Sequence, residues 1–142
     1  MARRVEVDRS DPAAVSATAI DRGGPDTDNT VTTVEYGDGS CGALIYNSQG
    51  HSGLGKERVE VFGGNQSLVI DDFARLEVHG AGATREKGGV VQKGHYEILA
   101  HFAEAVAGRA RPAIGPVDGY WATWCAEQSL AALRDGSRPP AA

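Results

Sequence analysis

The sequence predicts an α+β domain: an open, mostly antiparallel β-sheet with two C-terminal helices packed on one face. Three observations predict it. Apolar and polar residues alternate with period two over most of the first 80 positions, the mark of half-buried strands. From about residue 93 the apolar residues recur instead at three- and four-residue steps, the mark of helices. Glycine supplies 19 of 142 residues, against a usual share of about 7%, which suits many tight turns between short strands. Strands first and helices last is the order of an α+β fold.

The elements follow in order. Residues 1–11 are charged and aperiodic and read as a loose lead-in; residues 12–136 read as one domain, and 137–142 as a Pro-rich tail. Residues 14–20 (AVSATAI) form a first strand, ended by Gly23-Gly24-Pro25-Asp26. Asn29–Tyr36 (NTVTTVEY) is rich in Val and Thr, which suit a pleated surface. Asp38-Gly39 is a hairpin signal, and Cys41–Asn47 (CGALIYN) returns the chain. Residues 58–62 place Val59 and Val61 on one face, Gly63-Gly64-Asn65 turns the chain, and residues 67–70 place Leu68 and Ile70 inward. Arg75–His79 does the same with Leu76 and Val78. In residues 93–109, Tyr96, Leu99, Phe102, Ala103 and Val106 share one helical stripe, expected to be core; Gly108 and Pro112 stop that helix. A second helix opens at Pro116 or Asp118 and runs to Arg134, with Trp121, Trp124, Cys125 and Leu133 inward.

Charge and composition narrow the function. Fourteen basic against nineteen acidic residues give a net charge of −5, opposite to a nucleic-acid footprint. No apolar run reaches the roughly 20 residues of a membrane helix. The N-terminus has an arginine pair but no apolar core of a secretory signal, so a cytoplasmic location is expected. Cys41 and Cys125, 84 positions apart with no CxxC, read as two free buried thiols.

Two motifs imitate phosphate loops. Residues 50–56 (GHSGLGK) match the G-x-x-x-x-G-K spacing, but Glu57 stands where Ser or Thr should hold magnesium, and a strand follows where a helix is needed. Gly80-Ala81-Gly82 follows a strand, yet Arg85 replaces the third glycine and no βαβ unit follows, so a Gly-rich turn is expected. His51, His79, His95 and His101 show no metal-ligand spacing. Asp71-Asp72 closes a strand as a turn device, and Lys56-Glu57 opens the strand after a Gly-rich loop. Lys93-Gly94-His95 enters the first helix, where free amides attract anions.

The order of these segments resembles a known family. Residues 29–46 (NTVTTVEYGDGSCGALIY), 56–62 (KERVEVF), 70–73 (IDDF), 93–95 (KGH), a helix with Phe102 and Val106, Pro112-Ala113-Ile114 and a last helix with Gln128-Ser129-Leu130 are similar, in that order, to the C-terminal domain of the Gfo/Idh/MocA oxidoreductases. The likeness covers about residues 12–136. It implies an open antiparallel sheet, helices on one face, and a second copy of the chain on the other, hence a homodimer through the sheet face. It also implies a detached substrate-binding and dimerisation domain of an NAD(P)-dependent sugar or nucleotide-sugar oxidoreductase, inactive alone. NAD(P) is implied only for a Rossmann domain that this sequence lacks; this chain itself is expected to hold no cofactor, and a separate Rossmann-domain subunit is an implied partner. No catalytic residue carries over; Lys56, Lys93 and His95 are implied as substrate-binding positions. Two other readings stay open: a stand-alone small-ligand-binding or scaffold dimer, and a non-redox lyase or cyclase using His95 with Asp71 or Asp72 as acid and base.

Overall fold

Hairpin turns decide the strand pairing. The computed structural model describes residues 10–19, 28–80, 82, 84–87, 91 and 93–135. The lead-in at 1–9, the turn at 23–26 and the tail at 137–142 lie outside them. The described residues divide into two units: those up to Gln49 together with those from Ile114 onward, and Gly50–Ala113.

In the first unit, β1 (Pro12–Ala19), β2 (Asn29–Tyr36) and β3 (Cys41–Asn47) form an antiparallel sheet in the order β1-β2-β3. The β2–β3 hairpin turns at the expected glycine. Gly39 takes φ 85°, a left-handed conformation that glycine adopts without steric penalty. The Asp38 carboxylate accepts hydrogen bonds from the Ser40 amide and hydroxyl at 2.8 and 2.7 Å, and these two donors hold its carboxyl below the ordinary aspartate range. Register sets Val15, Val34 and Gly42 abreast, then Ala17, Thr32 and Leu44, then Ala19, Thr30 and Tyr46, all on one face. Against β1 packs α2 (Pro116–Asp135). Pro116 sits in its first turn, and the Gly115 amide donates to Asp118 Oδ2 at 2.7 Å, closing the helix start. Asp118, Trp121, Trp124, Cys125, Gln128, Ser129, Ala132 and Leu133 are its half-buried residues. Their steps of three and four trace a single inner stripe. Ala17 is 5% exposed, the most deeply covered apolar side chain described; its small size lets the helix approach the strand.

In the second unit, β4 (Arg58–Gly63), β5 (Gln66–Asp71), β6 (Arg75–His79) and β7 (Thr84–Lys87) form a sheet in simple meander order. The β4–β5 turn places Gly64 and Asn65 at φ 55° and 60°, the pair of left-handed residues that a tight hairpin requires. One face carries two rows, Val59–Ile70–Leu76 and Val61–Leu68–Val78. The other carries ion pairs: Arg58–Glu60 at 2.7 Å, Arg75–Asp71 at 2.5 Å and Arg75–Glu77 at 3.4 Å. α1 (His95–Val106) enters through Gly94 at φ 72° with no side-chain cap and ends at Gly108, φ 73°. Beyond that end the Arg109 guanidinium grips Glu104 at 2.6 and 2.8 Å.

The antiparallel α+β expectation holds, and the open sheet is present as two ladders of three and four strands. The ten residues between β3 and β4, rich in Gly and Ser, contain no strand that would join the ladders in sequence. Three expectations are corrected. Thr84 and Arg85, expected in a Gly-rich turn, instead open β7 (Thr84–Lys87): pairing with β6 overrides the weak strand preference of charged residues. Cys125 is half-buried as expected, but Cys41 is exposed; both thiols are free. The α1 stripe, expected as core, faces outward: Tyr96, Leu99, Phe102 and Val106 are between 65% and 79% exposed. Periodicity identifies an apolar face without identifying what covers it.

Candidate functional site

The loop before β4, the β5–β6 turn and the entry to α1 converge within the second unit. Lys56 ends the Gly-rich loop, and its amide donates to Asp72 Oδ1 at 3.2 Å. The Asp72 amide in turn donates to the Glu57 carbonyl at 2.7 Å. These two bonds lock the loop to the turn. A Cβ on Gly55 would lie 3.3 Å from Asp72 Cβ, a tight contact to which the turn would have to yield by a few tenths of an ångström.

The turn is strained. Asp72 and Phe73 take φ 49° and 51°, and the Ala74 amide donates to the Asp71 carbonyl at 3.0 Å. Aspartate tolerates that conformation; phenylalanine is a true outlier there. Such strain concentrates at functional sites and costs of order 1–3 kcal/mol.

Lys93, just before α1, reaches across to Glu57 Oε1 at 2.8 Å, and its ammonium stands 6.0 Å from the centre of the Phe73 ring. Glu57 Oε2 is buried and has no hydrogen-bond partner among the described residues. A buried carboxylate oxygen without a donor is an unmet acceptor. The Lys56 ammonium makes no ion pair among the described residues. Among the described residues the cluster therefore offers one cation engaged with a carboxylate, a second carboxylate and an aromatic ring, with the Lys56 backbone bonded into it.

Of the three expected site residues, the structure brings Lys56 and Lys93 to the same loop–turn junction. His95 is the first residue of α1, exposed, two positions beyond Lys93. Glu57 and Phe73 were not expected as site residues, and Asp72 was expected only as an alternative to Asp71 in the lyase or cyclase reading. Glu57 and Asp72 are ordinary in a charged segment and a turn; the signal that singles out Phe73 is a bulky residue directly after Asp-Asp, where a turn favours Gly or Asn. His101, off the helical stripe, holds its Nε2 3.0 Å from the Arg111 carbonyl and 3.1 Å from the Ala113 amide, tying the chain after α1 to the helix. The GHSGLGK segment precedes a strand, as expected of a false phosphate loop. Among the described residues, no helix is long and apolar enough to cross a membrane, and no three His, Cys, Asp or Glu residues cluster as metal ligands would.

No family model matches the sequence, and no curated protein sequence matches it. Solved structures do match its fold. UDP-N-acetylglucosamine 3-dehydrogenase GnnA from Acidithiobacillus ferrooxidans superposes with a TM-score of 0.73 at 14% identity, over 89% of this chain and 41% of that one. The fold is one that these oxidoreductases contain as part of their chains. Aldose-aldose oxidoreductase from Caulobacter crescentus shares it with a TM-score of 0.67 at 19% identity, over 89% of this chain and 40% of that one. This is the fold that the resemblance to the Gfo/Idh/MocA C-terminal domain implies. The chain spans about two-fifths of the length of the oxidoreductases it matches.

Proposed function

We propose that this chain is the substrate-holding and subunit-contacting domain of an NAD(P)-dependent oxidoreductase acting on a sugar or nucleotide sugar. The fold match supports it, because two of the matched proteins are named for chemistry on a UDP-sugar and on aldoses. The nicotinamide would be held by a separate Rossmann domain or subunit. The described residues do not fit that cofactor: every strand pairing among them is antiparallel, and a dinucleotide site needs a parallel βαβ unit. The chain alone is therefore read as inactive in hydride transfer, and no catalytic role falls to its residues.

The observation that carries the site assignment is the unmet Glu57 Oε2, on a carboxylate held by Lys93 and next in sequence to Lys56. Sugar hydroxyls donate to carboxylates, and a diphosphate would meet Lys56; Lys93 holds Glu57 in place beside the Phe73 ring. His95 completes the rim.

Calorimetric titration of the purified chain with a UDP-sugar tests this reading. The expected result is binding that Lys56→Ala weakens by about tenfold, the equivalent of one charge-assisted hydrogen bond, while NADH and NADPH give no heat. Nicotinamide binding to the chain alone, or UDP-sugar binding indifferent to Lys56 and Lys93, would overturn it.

A further inference from the structure

We propose that His101 is a proton-operated switch on the chain leaving α1: neutral, its ring holds the Ala113 amide; protonated, it releases that amide and holds the Arg111 carbonyl. All three residues belong to the second unit, and no residue of the sugar site takes part.

Two distances to one atom define the switch. The Ala113 amide donates to His101 Nε2 at 3.1 Å, and the same nitrogen lies 3.0 Å from the Arg111 carbonyl oxygen. An imidazole nitrogen is a donor or an acceptor, never both at once. Its single in-plane position holds either a lone pair or a proton. With the lone pair there, Ala113 has its acceptor and the Arg111 oxygen faces a second acceptor. With a proton there, the Arg111 oxygen gains a donor and the Ala113 N–H faces another N–H. Pro112, between the two, has a fixed φ and no N–H of its own, so the competing groups stand side by side on a stiff segment. Each protonation state of the ring therefore satisfies one of them and repels the other.

The charged neighbours of the ring come from its own helix and from the outgoing chain. Glu97 and Glu104, four residues before it and three after, share its side of α1. Glu104 is engaged by the Arg109 guanidinium, and Arg111 carries its own charge beside the carbonyl in question. Among the described residues no strand packs broadly against α1. The bond to Arg111 has a charged donor and is the stronger of the two. Ala113 is the last residue of the second unit, and Ile114 follows it into the first. Above the range of about pH 5–8 in which histidine changes charge, the ring pins the residue that hands the chain on. Below that range the pin steps back two residues, across Pro112, and Ala113 leaves the ring.

Nuclear magnetic resonance of the full, isotope-labelled chain reads both states. At about pH 8 the His101 ring should carry its proton on Nδ1, the tautomer that free histidine populates less, with Nε2 bare. On acidification to about pH 5, Nε2 should gain a proton, and the Ala113 amide proton and Arg111 carbonyl carbon should shift with the same midpoint as the ring. His101→Gln, whose side chain donates and accepts at once and does not titrate, should hold both signals still across that range. A ring protonated on Nε2 at about pH 8 removes the switch, and that measurement on the parent chain stands whether or not the variant folds. An Ala113 midpoint that differs from that of His101, or shifts that persist in His101→Gln, remove it too.

Discussion

α2 and α1 are both amphipathic, yet they use their apolar stripes in opposite ways. α2 has twenty residues, a proline in its first turn and an Asp118 bond to the amide before it, and it presses Trp121, Trp124 and Cys125 toward β1. Its inner stripe even includes polar Gln128 and Ser129; the Ser129 hydroxyl donates to the Cys125 carbonyl at 2.7 Å and so needs no outside partner. α1 has twelve residues, enters through an uncapped left-handed glycine, and leaves a more apolar stripe exposed. The difference teaches that the partner surface, more than the helix, decides burial. β1 offers a flat, small-residue surface at Ala17, flanked by Thr32. No strand of the second unit packs broadly against α1.

The sharpest way to break this contrast is Trp121→Ala. Trp121 packs edge-on against Tyr120 at 5.0 Å and Trp124 at 5.5 Å, and its loss is expected to cost about 2–3 kcal/mol in urea unfolding, below the range for a fully buried tryptophan. A loss under about 0.5 kcal/mol would mean that α2 is not the anchored helix. Leu99→Ala and Phe102→Ala probe the other side. On an exposed stripe each is expected to change stability by less than about 0.5 kcal/mol, where a core position would cost about 2–5 kcal/mol. A core-sized loss at both would show the stripe covered in solution. The smallest effect concerns the end of α1. The Arg109 guanidinium beside Glu104 holds its carboxyl below the ordinary glutamate value of 4.5. A carboxyl whose pKa is lowered by folding stabilises the native state above its unfolded pKa, and that contribution fades as pH falls through its folded pKa. Amide protection at residues 107–109 is therefore expected to drop as the pH passes below 4.5, and Glu104→Gln should flatten the profile at a lower plateau.

How much of this was legible in the sequence follows from what each signal measures. Strand alternation and Gly-containing turns are local, so β2, β3, β5 and β6 and their hairpins lie within a residue or two of the expected positions. Helix boundaries were legible because Pro116, Gly108 and Pro112 act on the backbone at their own positions. β7 was not, because TREK is a strand only by virtue of its neighbour. At the site, Lys56 and Lys93 were named from their positions in the resemblance. The bonds that bring them together run through Glu57 and Asp72, 15 residues apart in sequence and joined by an amide–carbonyl contact that no pattern of residue types encodes.

The two hairpin tips of the second unit hold the same left-handed backbone with different residues, Gly64-Asn65 at one and Asp72-Phe73 at the other. The first pair is what chain conformation alone would choose. The second carries a phenyl ring where a hydrogen atom would relax the backbone. Directed evolution for thermal tolerance, with no demand on ligand, would thus be drawn to rewrite Phe73 early, and an ancestor-to-descendant series that kept the ring would record selection for chemistry at that tip.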